Sequence, residues 1–421
     1  MSPAPAAPLS LNDIVENGLC IGCGLCKSVA RPERVDLVMT PEGRERPVAP
    51  HPLSAEATAR INAICPGTRI AAPAPGHRQD GVAHDTVWGM ARRLSIGHAG
   101  DPEVRHRGST GGVLSALGQF LIESGRVGFV LHVGASPSAP MRTDSKLSFD
   151  SVSVLEGAGS RYGPGAPLVD FCEVLDRREP FALIAKPCDI TAVRNLAEID
   201  PRVDEYMRYA LTFLCGGASD LTKSEEVLSD FGLREEELRL FRYRGYGNPG
   251  LTQVETQDGR SFALTYQQLW EDEAKWMIQP RCKLCADAIG LAADIVASDV
   301  WEGGGPTGED DGYNGILVRT ARGLELYEAA VEAGKLTITS PATFRDFDLF
   351  QPHQVRKRRA VWARFRGMQS AGKPVPATIN LGIEDCARQN ALAENLREAR
   401  GARERSRNGR LGEPKPTART K

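Results

Sequence analysis

Three cysteines within seven residues constrain this chain more than any other feature of its sequence. Cys20, Cys23 and Cys26 follow the spacing C-x2-C-x2-C. A zinc ion takes four tetrahedral ligands, usually from two separated pairs, whereas an iron–sulfur cluster binds one thiolate at each of several irons. Gly22 and Gly24 let the backbone curl and direct N–H groups towards sulfur. The run therefore favours an iron–sulfur cluster over a zinc site or inert thiols.

Cys65 is the natural fourth ligand of this cluster, because it precedes Pro66 as the last cysteine of a ferredoxin run does. In two-cluster ferredoxins, however, that cysteine binds the other cluster. The sequence alone leaves both assignments of Cys65 open.

Four more cysteines predict a second site: Cys188, Cys215, Cys282 and Cys285. The first two end the strand-like runs 181–185 and 209–214, and the ends of neighbouring parallel strands meet at one edge of a sheet. The last two form a C-x2-C pair. In the alternative interpretation Cys188 and Cys215 are small buried hydrophobic residues. Cys172 and Cys386 are interpreted as plain packing or surface thiols.

The composition of the chain argues against several classes of protein. With 52 basic and 54 acidic residues in 421, the net charge of −2 argues against a dedicated nucleic-acid binder. No apolar run approaches the ~20 residues of a membrane helix, and the N-terminus lacks the features of a signal peptide. We therefore expect a cytoplasmic protein, in which ten cysteines are more typical of metal or redox sites than of disulfides.

Alternating strand-like and helix-like segments predict an α/β fold with a mixed sheet. We expect an N-terminal iron–sulfur, ferredoxin-like segment over 1–76 and a linker over 73–81. A core in two parts then spans 86–175 and 176–350. The remainder, 351–421, reads as a basic helical extension whose end, from 395, is disordered.

Two glycine-rich stretches could bind a ligand. The basic segment 105–112 leads directly into a helix, which makes either an anion site for the phosphate of a nucleotide cofactor or an ordinary capped helix. The loop 157–165 could line a ligand or be a surface turn. A third stretch, 245–250, matches G-x-G-x-x-G, but Pro249 and the strand hairpin that follows it argue against a dinucleotide site. Asp299 and Trp301 follow a buried strand, where Asp is unusual without a partner.

In combination these motifs resemble the coenzyme F420 hydrogenase/dehydrogenase beta-subunit family, over residues 15 to 350. That family includes proteins similar to 7-hydroxymethyl chlorophyll a reductase and to ferredoxin-dependent divinyl chlorophyllide 8-vinyl reductase. The long gap before Cys65 and the extension after Pro352 depart from it. The motifs that carry the resemblance are the C-x2-C-x2-C run with Cys65-Pro66, Arg107 to Gly112, Gly159 to Tyr162, Lys186 to Asp189, Cys215-Gly216, and Cys282-x2-Cys285 followed by Ala293 to Ile295.

The resemblance implies an FAD-binding α/β core with one 4Fe-4S cluster, and a second 4Fe-4S cluster in the N-terminal segment. Ser160, Arg161 and Tyr162 would face the flavin or the substrate. The residues implied for the FAD phosphates are Arg107, Gly108, Ser109, Thr110, Gly111 and Gly112. The implied cluster ligands are Cys20, Cys23, Cys26 and Cys65 for the N-terminal cluster, and Cys188, Cys215, Cys282 and Cys285 for the core cluster.

Two clusters and a flavin together predict an oxidoreductase, because flavin connects one-electron carriers to two-electron chemistry. Our main hypothesis is a flavoprotein reductase that moves electrons between a ferredoxin-like carrier and a small organic substrate, such as a tetrapyrrole or a deazaflavin. Tyr162 and Lys186 are the candidate proton donors. The first alternative is an electron-transfer beta subunit of a larger hydrogenase/dehydrogenase complex, without substrate chemistry of its own. The second is a zinc-stabilised binding protein.

Overall fold

The computed structural model of the chain describes residues 8–74, 81–270 and 278–419. Most of the linker expected over 73–81 lies outside the described residues. The N-terminal part contains short elements around the cysteine run. They are α1 (Leu11–Glu16), α2 (Leu25–Val29), β1 (Asp36–Met39), β2 (Glu45–Val48), α3 (Ala55–Ile64) and β3 (Arg69–Ala71).

The middle of the chain alternates strands and helices, as the sequence predicts. Its strands are β4 (Ala83–Asp85), β5 (Gly89–Ala91), β6 (Arg93–Ala99), β7 (Phe129–Ala135), β8 (Thr143–Ser148), β9 (Phe181–Ile184), β10 (Met207–Phe213), β11 (Leu238–Arg242), β12 (Thr252–Thr256), β13 (Ser261–Leu264), β14 (Ile295–Asp299), β15 (Asn314–Val318) and β16 (Leu336–Pro341). Its helices are α4 (Pro102–Arg107), α5 (Val113–Glu123), α6 (Ser151–Glu156), α7 (Phe171–Asp176), α8 (Pro187–Ala197), α9 (Arg202–Tyr206), α10 (Thr222–Asp230), α11 (Tyr266–Trp270), α12 (Pro280–Lys283) and α13 (Ala321–Glu332).

One large mixed sheet organises this part. In the described residues it has eight strands in the order β16-β6-β15-β14-β10-β9-β7-β8. The four neighbours β14, β10, β9 and β7 run parallel, and the strands outside them pair antiparallel. The α/β fold with a mixed sheet is therefore confirmed. Because parallel strands share a direction, the segments that follow β9, β10 and β14 all leave the sheet at one edge.

Alternating side chains bury both faces of the sheet. In β9, Phe181 and Leu183 pack on the face that also receives the N-terminal segment, α7 and α8, whereas Ala182 packs on the face covered by α5 and α13. This follows from the two-residue period of a strand. Helix α3 follows its N-cap Ser54, whose hydroxyl accepts a hydrogen bond from the Ala57 amide. A tight turn at Asp258-Gly259 joins β12 to β13.

The C-terminal extension differs from the expectation. It contains α14 (Phe344–Phe350), α15 (Pro352–Gln369), β17 (Ala377–Ile379), α16 (Ile383–Arg388) and α17 (Leu392–Arg407). The stretch from 395, expected to be disordered, thus forms most of a helix that packs on α15. A close approach at Gly367 allows this contact, since a Cβ there would lie 2.1 Å from the Ala399 carbonyl oxygen. None of the described helices is long and apolar enough to cross a membrane.

Candidate functional site

The first four cysteines, Cys20, Cys23, Cys26 and Cys65, line one shared cavity. Cys20 and Cys23 lie in the turn between α1 and α2, Cys26 lies in the first turn of α2, and Cys65 caps the end of α3. Gly22 has a φ of +73°, and its amide donates to the Cys20 sulfur at 3.3 Å, as the glycine spacing predicts. The amide of Gly67 does the same for Cys65. The structure thus brings Cys65 to the run despite the long gap.

The second four cysteines line another shared cavity. Cys188 begins α8 just after β9, and Cys215 follows β10, so the two meet because their strands are parallel neighbours. Cys282 and Cys285 come from α12 and the turn after it. The Ala218 amide donates to the Cys282 sulfur at 3.4 Å. We call the two cavities the N-terminal cage and the core cage.

The thiols of each cage are close enough to affect one another; Cys20 and Cys23 are buried, and the other six cysteines are half-buried. Desolvation and the neighbouring Cys20 together raise the pKa of Cys65 to about 11. Desolvation and the neighbouring Cys282 together raise the pKa of Cys215 to about 12. Four thiolates held this close repel one another unless a cation lies among them, and metal binding releases their protons.

The donor set of each cage can be compared with that of an iron–sulfur cluster. Among the described residues, no three His, Cys, Asp or Glu side chains are placed to hold one metal ion. In each cage the four cysteines instead line a shared cavity. Four cysteines are also the donor set of a 4Fe-4S cluster, so the residues fit that group.

The two cages are neighbours. Ile21 lines both cavities. Arg281 lines the core cage and donates to the carbonyl oxygen of Pro66, beside Cys65, at 2.9 Å. Asp189 is fully buried, and its charge acts on the pKa of both Cys23 and Cys188. One layer of side chains therefore separates the two sets of sulfurs.

Lys186, a candidate proton donor, lines the core cage in an ion pair. Its ammonium lies 2.8 Å from the Asp189 carboxylate. Burial lowers the pKa of Lys186, but the charges of Asp189 and Cys188 outweigh this and raise it overall. The side chain is thus held as a cation beside the sulfurs.

The basic turn at 107–112 connects α4 to α5. The Thr110 hydroxyl donates to Asp299 at 2.5 Å, and the Ser109 hydroxyl accepts from the Ser160 amide. Arg107 points away from these contacts, towards Glu103 and the carbonyl oxygen of Leu155. At the start of α5, the Val113 amide donates to the side chain of Asn314 at 3.2 Å. One of the amides expected to face an anion thus already donates its hydrogen bond to a side chain of the protein.

The loop 157–165 packs against this turn. Arg161 donates to the carbonyl oxygens of Phe241, Pro140 and Arg142, at 2.6 to 2.8 Å, so its bonds hold loops together. The Tyr162 ring contacts Trp270 at 4.7 Å between centroids. The backbone oxygen of Tyr162 accepts from Ser219, the residue after Ala218. Tyr162 is therefore connected to the core cage through Ser219 and Ala218, because the Ala218 amide donates to the Cys282 sulfur.

Arg244 is the residue that sequence reasoning missed here. It is 3% exposed and donates to the Ser109 carbonyl oxygen at 2.6 Å and to Asp299 at 3.3 Å. It also donates to the Tyr162 hydroxyl at 3.3 Å and lies 4.6 Å from the Trp301 ring centroid. The sequence could have indicated Arg244 as a site residue, because it directly precedes the glycine-rich stretch 245–250. That stretch leads into β12 and not into a helix, as expected.

Several buried donors around these loops lack a hydrogen-bond partner among the described residues. They are Nε of Arg107, Nε of Arg161 and Nε1 of Trp301. A buried N–H without a partner is costly, so such groups indicate a missing ligand or water. The hydroxyls, arginines and orphaned donors of this region fit a polar, phosphate-bearing cofactor.

The C-terminal extension reaches both cages, although no pattern in the sequence indicates this. From α15, Gln354 and Lys357 donate to the backbone beside Cys215. The segment 408–419, which we call the C-terminal strap, crosses the N-terminal part of the chain. It brings Glu413 to Arg46 at 2.7 Å, and both side chains are almost wholly buried. Gly18 makes room for it, since a Cβ there would lie 2.0 Å from the Leu411 carbonyl oxygen.

Comparison with known proteins places the middle of the chain in one family. Models described as coenzyme F420 hydrogenase/dehydrogenase, beta subunit, match residues 95–172 with the N-terminal part and residues 179–343 with the C-terminal part. The second match contains all four cysteines of the core cage. The cysteines of the N-terminal cage and the C-terminal extension lie outside both matches.

Individual relatives are distant. An uncharacterized protein of Methanocaldococcus jannaschii is 22% identical over 54% of this chain, and the match spans 60% of that protein's length. The coenzyme F420 hydrogenase subunit beta of Methanococcus voltae is 22% identical over 69% of this chain and 99% of its own. A chain in the F420-reducing [NiFe] hydrogenase complex from Methanosarcina barkeri is 18% identical over 66% of this chain and 95% of its own, with a TM-score of 0.49.

Proposed function

The chain belongs to the coenzyme F420 hydrogenase/dehydrogenase beta-subunit family, and we propose that it is an electron-transfer subunit with two 4Fe-4S clusters and FAD. The observation that carries this proposal is the pair of adjacent four-cysteine cages. When bound, these groups supply one-electron transfer at the clusters and the exchange between one- and two-electron chemistry at the flavin.

The cysteines of each cage would hold one cluster. Cys20, Cys23, Cys26 and Cys65 would bind the cluster of the N-terminal segment, residues 1–76. Cys188, Cys215, Cys282 and Cys285 would bind the cluster of the core, residues 86–350. Amides donating to Cys20, Cys65 and Cys282 stabilise the thiolates, and Ile21 keeps water out of the space between the cages.

The loops around Arg244 would hold FAD. Ser109, Thr110 and the glycines of the turn would lie along its phosphates, with Ser160 beside them, and the unpartnered N–H groups of Arg161 and Trp301 would find acceptors there. The Arg107 side chain, which faces Glu103 and Leu155, would have to turn towards the phosphates to contact them. Tyr162 would donate the substrate's proton in preference to Lys186, because Asp189 holds the Lys186 ammonium. Arg244, which donates to the Tyr162 hydroxyl, would orient it.

Of the two oxidoreductase functions that the sequence suggests, family membership favours the subunit over the free-standing reductase. The Methanococcus voltae relative is described as a hydrogenase subunit, and this chain spans nearly its whole length. Unlike the subunit alternative suggested by the sequence, this subunit would also carry substrate chemistry. Its partner would be another redox protein, and its organic substrate a deazaflavin such as coenzyme F420. A purified chain that turns over substrate with reduced ferredoxin alone would favour the reductase instead.

Cofactor analysis tests the proposal. We expect anaerobically purified protein to contain about eight iron, about eight sulfide and one FAD per chain. Cys23→Ala and Cys188→Ala should each lose about half of the iron, from different clusters, while the matched control Cys172→Ala should lose none. A colourless, iron-free wild-type protein from such a preparation would refute the proposal, and zinc in its place would support the binding-protein alternative.

A further inference from the structure

Helix α15 of the C-terminal extension lies against the core cage. Gln354 and Lys357 are three residues apart and therefore share a face of the helix. Gln354 donates to the Cys215 carbonyl oxygen at 2.8 Å, and the Lys357 ammonium lies 3.1 Å from the carbonyl oxygen of Gly216. Lys357 also lines the cavity of the core cage itself. The extension thus contributes a cation to a cage whose cysteines all belong to the family core.

This cation differs from the other basic residues at the cage. Lys186 is neutralised by Asp189 at 2.8 Å. Arg281 lies between the two cages, and its charge acts on both Cys65 and Cys282. The hydrogen bonds of Lys357 run only to the carbonyl oxygens of Cys215 and Gly216 among the described residues. Its charge therefore faces the core cage, and among the described residues it forms no salt bridge. The carboxylate of Asp287, which also lines this cavity, interacts with Arg358 and Arg319.

Lys357 and the four cysteines line the same cavity. Its positive charge would therefore act on any negative charge that the four cysteines surround.

We propose that Lys357 is a positioning residue that raises the reduction potential of the core cluster and leaves the N-terminal cluster unaffected. This inference rests on the proposed function. Reduction adds one electron to the group held by the four cysteines, so its charge becomes more negative by one. A nearby fixed cation stabilises that state relative to the oxidised one. Because α15 lies beyond the residues that match the family, the extension would tune this chain specifically.

The test is a redox titration of the full-length, iron-loaded protein, followed by electron paramagnetic resonance. The Cys23→Ala and Cys188→Ala proteins assign the signals to the two clusters. In Lys357→Met we expect the reduced-to-oxidised ratio of the core cluster at a fixed potential to fall about tenfold, a shift of about 59 mV to lower potential. The N-terminal cluster should keep its midpoint. Lys357→Arg, which retains the charge, should stay close to the wild type.

Arg356→Met is the matched control, because it removes a charge from the neighbouring, exposed position of the same helix. If Lys357→Met loads less iron, the titration is read on Lys357→Gln, which keeps polar contacts with the carbonyl oxygens. An unchanged core midpoint, or equal shifts at both clusters or in the Arg356 control, would overturn the inference. Wild-type protein without iron would instead refute the proposed function.

Discussion

Replacing Glu413 by Gln should release the C-terminal strap. The Glu413 carboxylate accepts from Arg46 at 2.7 and 2.8 Å and lies 3.6 Å from Arg44. Its side chain is 3% exposed and that of Arg46 is 0% exposed. Removing one partner of a buried ion pair leaves the other charge uncompensated and costs about 3 kcal/mol or more. An opening equilibrium that changes by 3 kcal/mol changes roughly a hundredfold.

Hydrogen exchange read by mass spectrometry measures this opening directly. The amides of Glu413 and Arg419 donate to the carbonyl oxygens of Glu16 and Met39, so both are protected only while the strap is bound. We expect their exchange in Glu413→Gln to accelerate about a hundredfold or to lose protection altogether. Glu384→Gln is the control, because it breaks an exposed ion pair in the same extension, worth about 0.5 kcal/mol. Exchange at the strap that speeds up less than threefold would refute the reasoning.

Two further predictions concern the flavin turn and the sheet. Gly112 has a φ of +72° and a Cβ there would lie 2.6 Å from the Val104 carbonyl oxygen, so Gly112→Ala should lower the FAD content without changing the iron content. Gly125→Ala, at φ +66° with open space, should cost only about 1 kcal/mol of stability and retain FAD. Burial lowers the pKa of His132 to about 4, helped by the charge of Lys146. Because an unfolded histidine titrates near 6.5, stability present above that pH should fall by about 3 kcal/mol as the pH drops towards 4. The free energy of unfolding of His132→Gln, measured with urea, should not show this loss. An equal dependence on pH in both proteins would contradict the low pKa of His132.

Local patterns predicted which cysteines come together in each cage. The spacing of Cys20, Cys23 and Cys26 needs only a tight turn, which Gly22 provides, and Cys188 and Cys215 meet because β9 and β10 are parallel neighbours. Both inferences use short-range geometry or a general rule of sheet topology. They do not depend on knowing how distant segments pack.

The contributions of distant segments could not be predicted in the same way. The strap is basic and rich in Gly and Pro, so its composition indicates disorder, yet Glu413 is ordered by Arg46 at a separation of 367 residues. The packing of helix α17 could not be predicted either. Its contact with α15 uses small residues such as Ala399 and Ala402, so its sequence has no apolar stripe. Arg161 and Arg244 look alike in the sequence, and only the fold shows that the first is held by three carbonyl oxygens while the second lies beside Asp299 and Tyr162.

The pairing of β3 with β17 and of Arg46 with Glu413 has a consequence for biosynthesis. At a translation rate of about 5–20 residues per second, the ribosome adds Glu413 roughly 20–70 s after Arg46. For most of that interval the four cysteines of the N-terminal cage have already been synthesised, while β17 and the C-terminal strap do not yet exist. The N-terminal part of the nascent polypeptide therefore lacks the contacts with β17 and with Glu413 until those residues have been added.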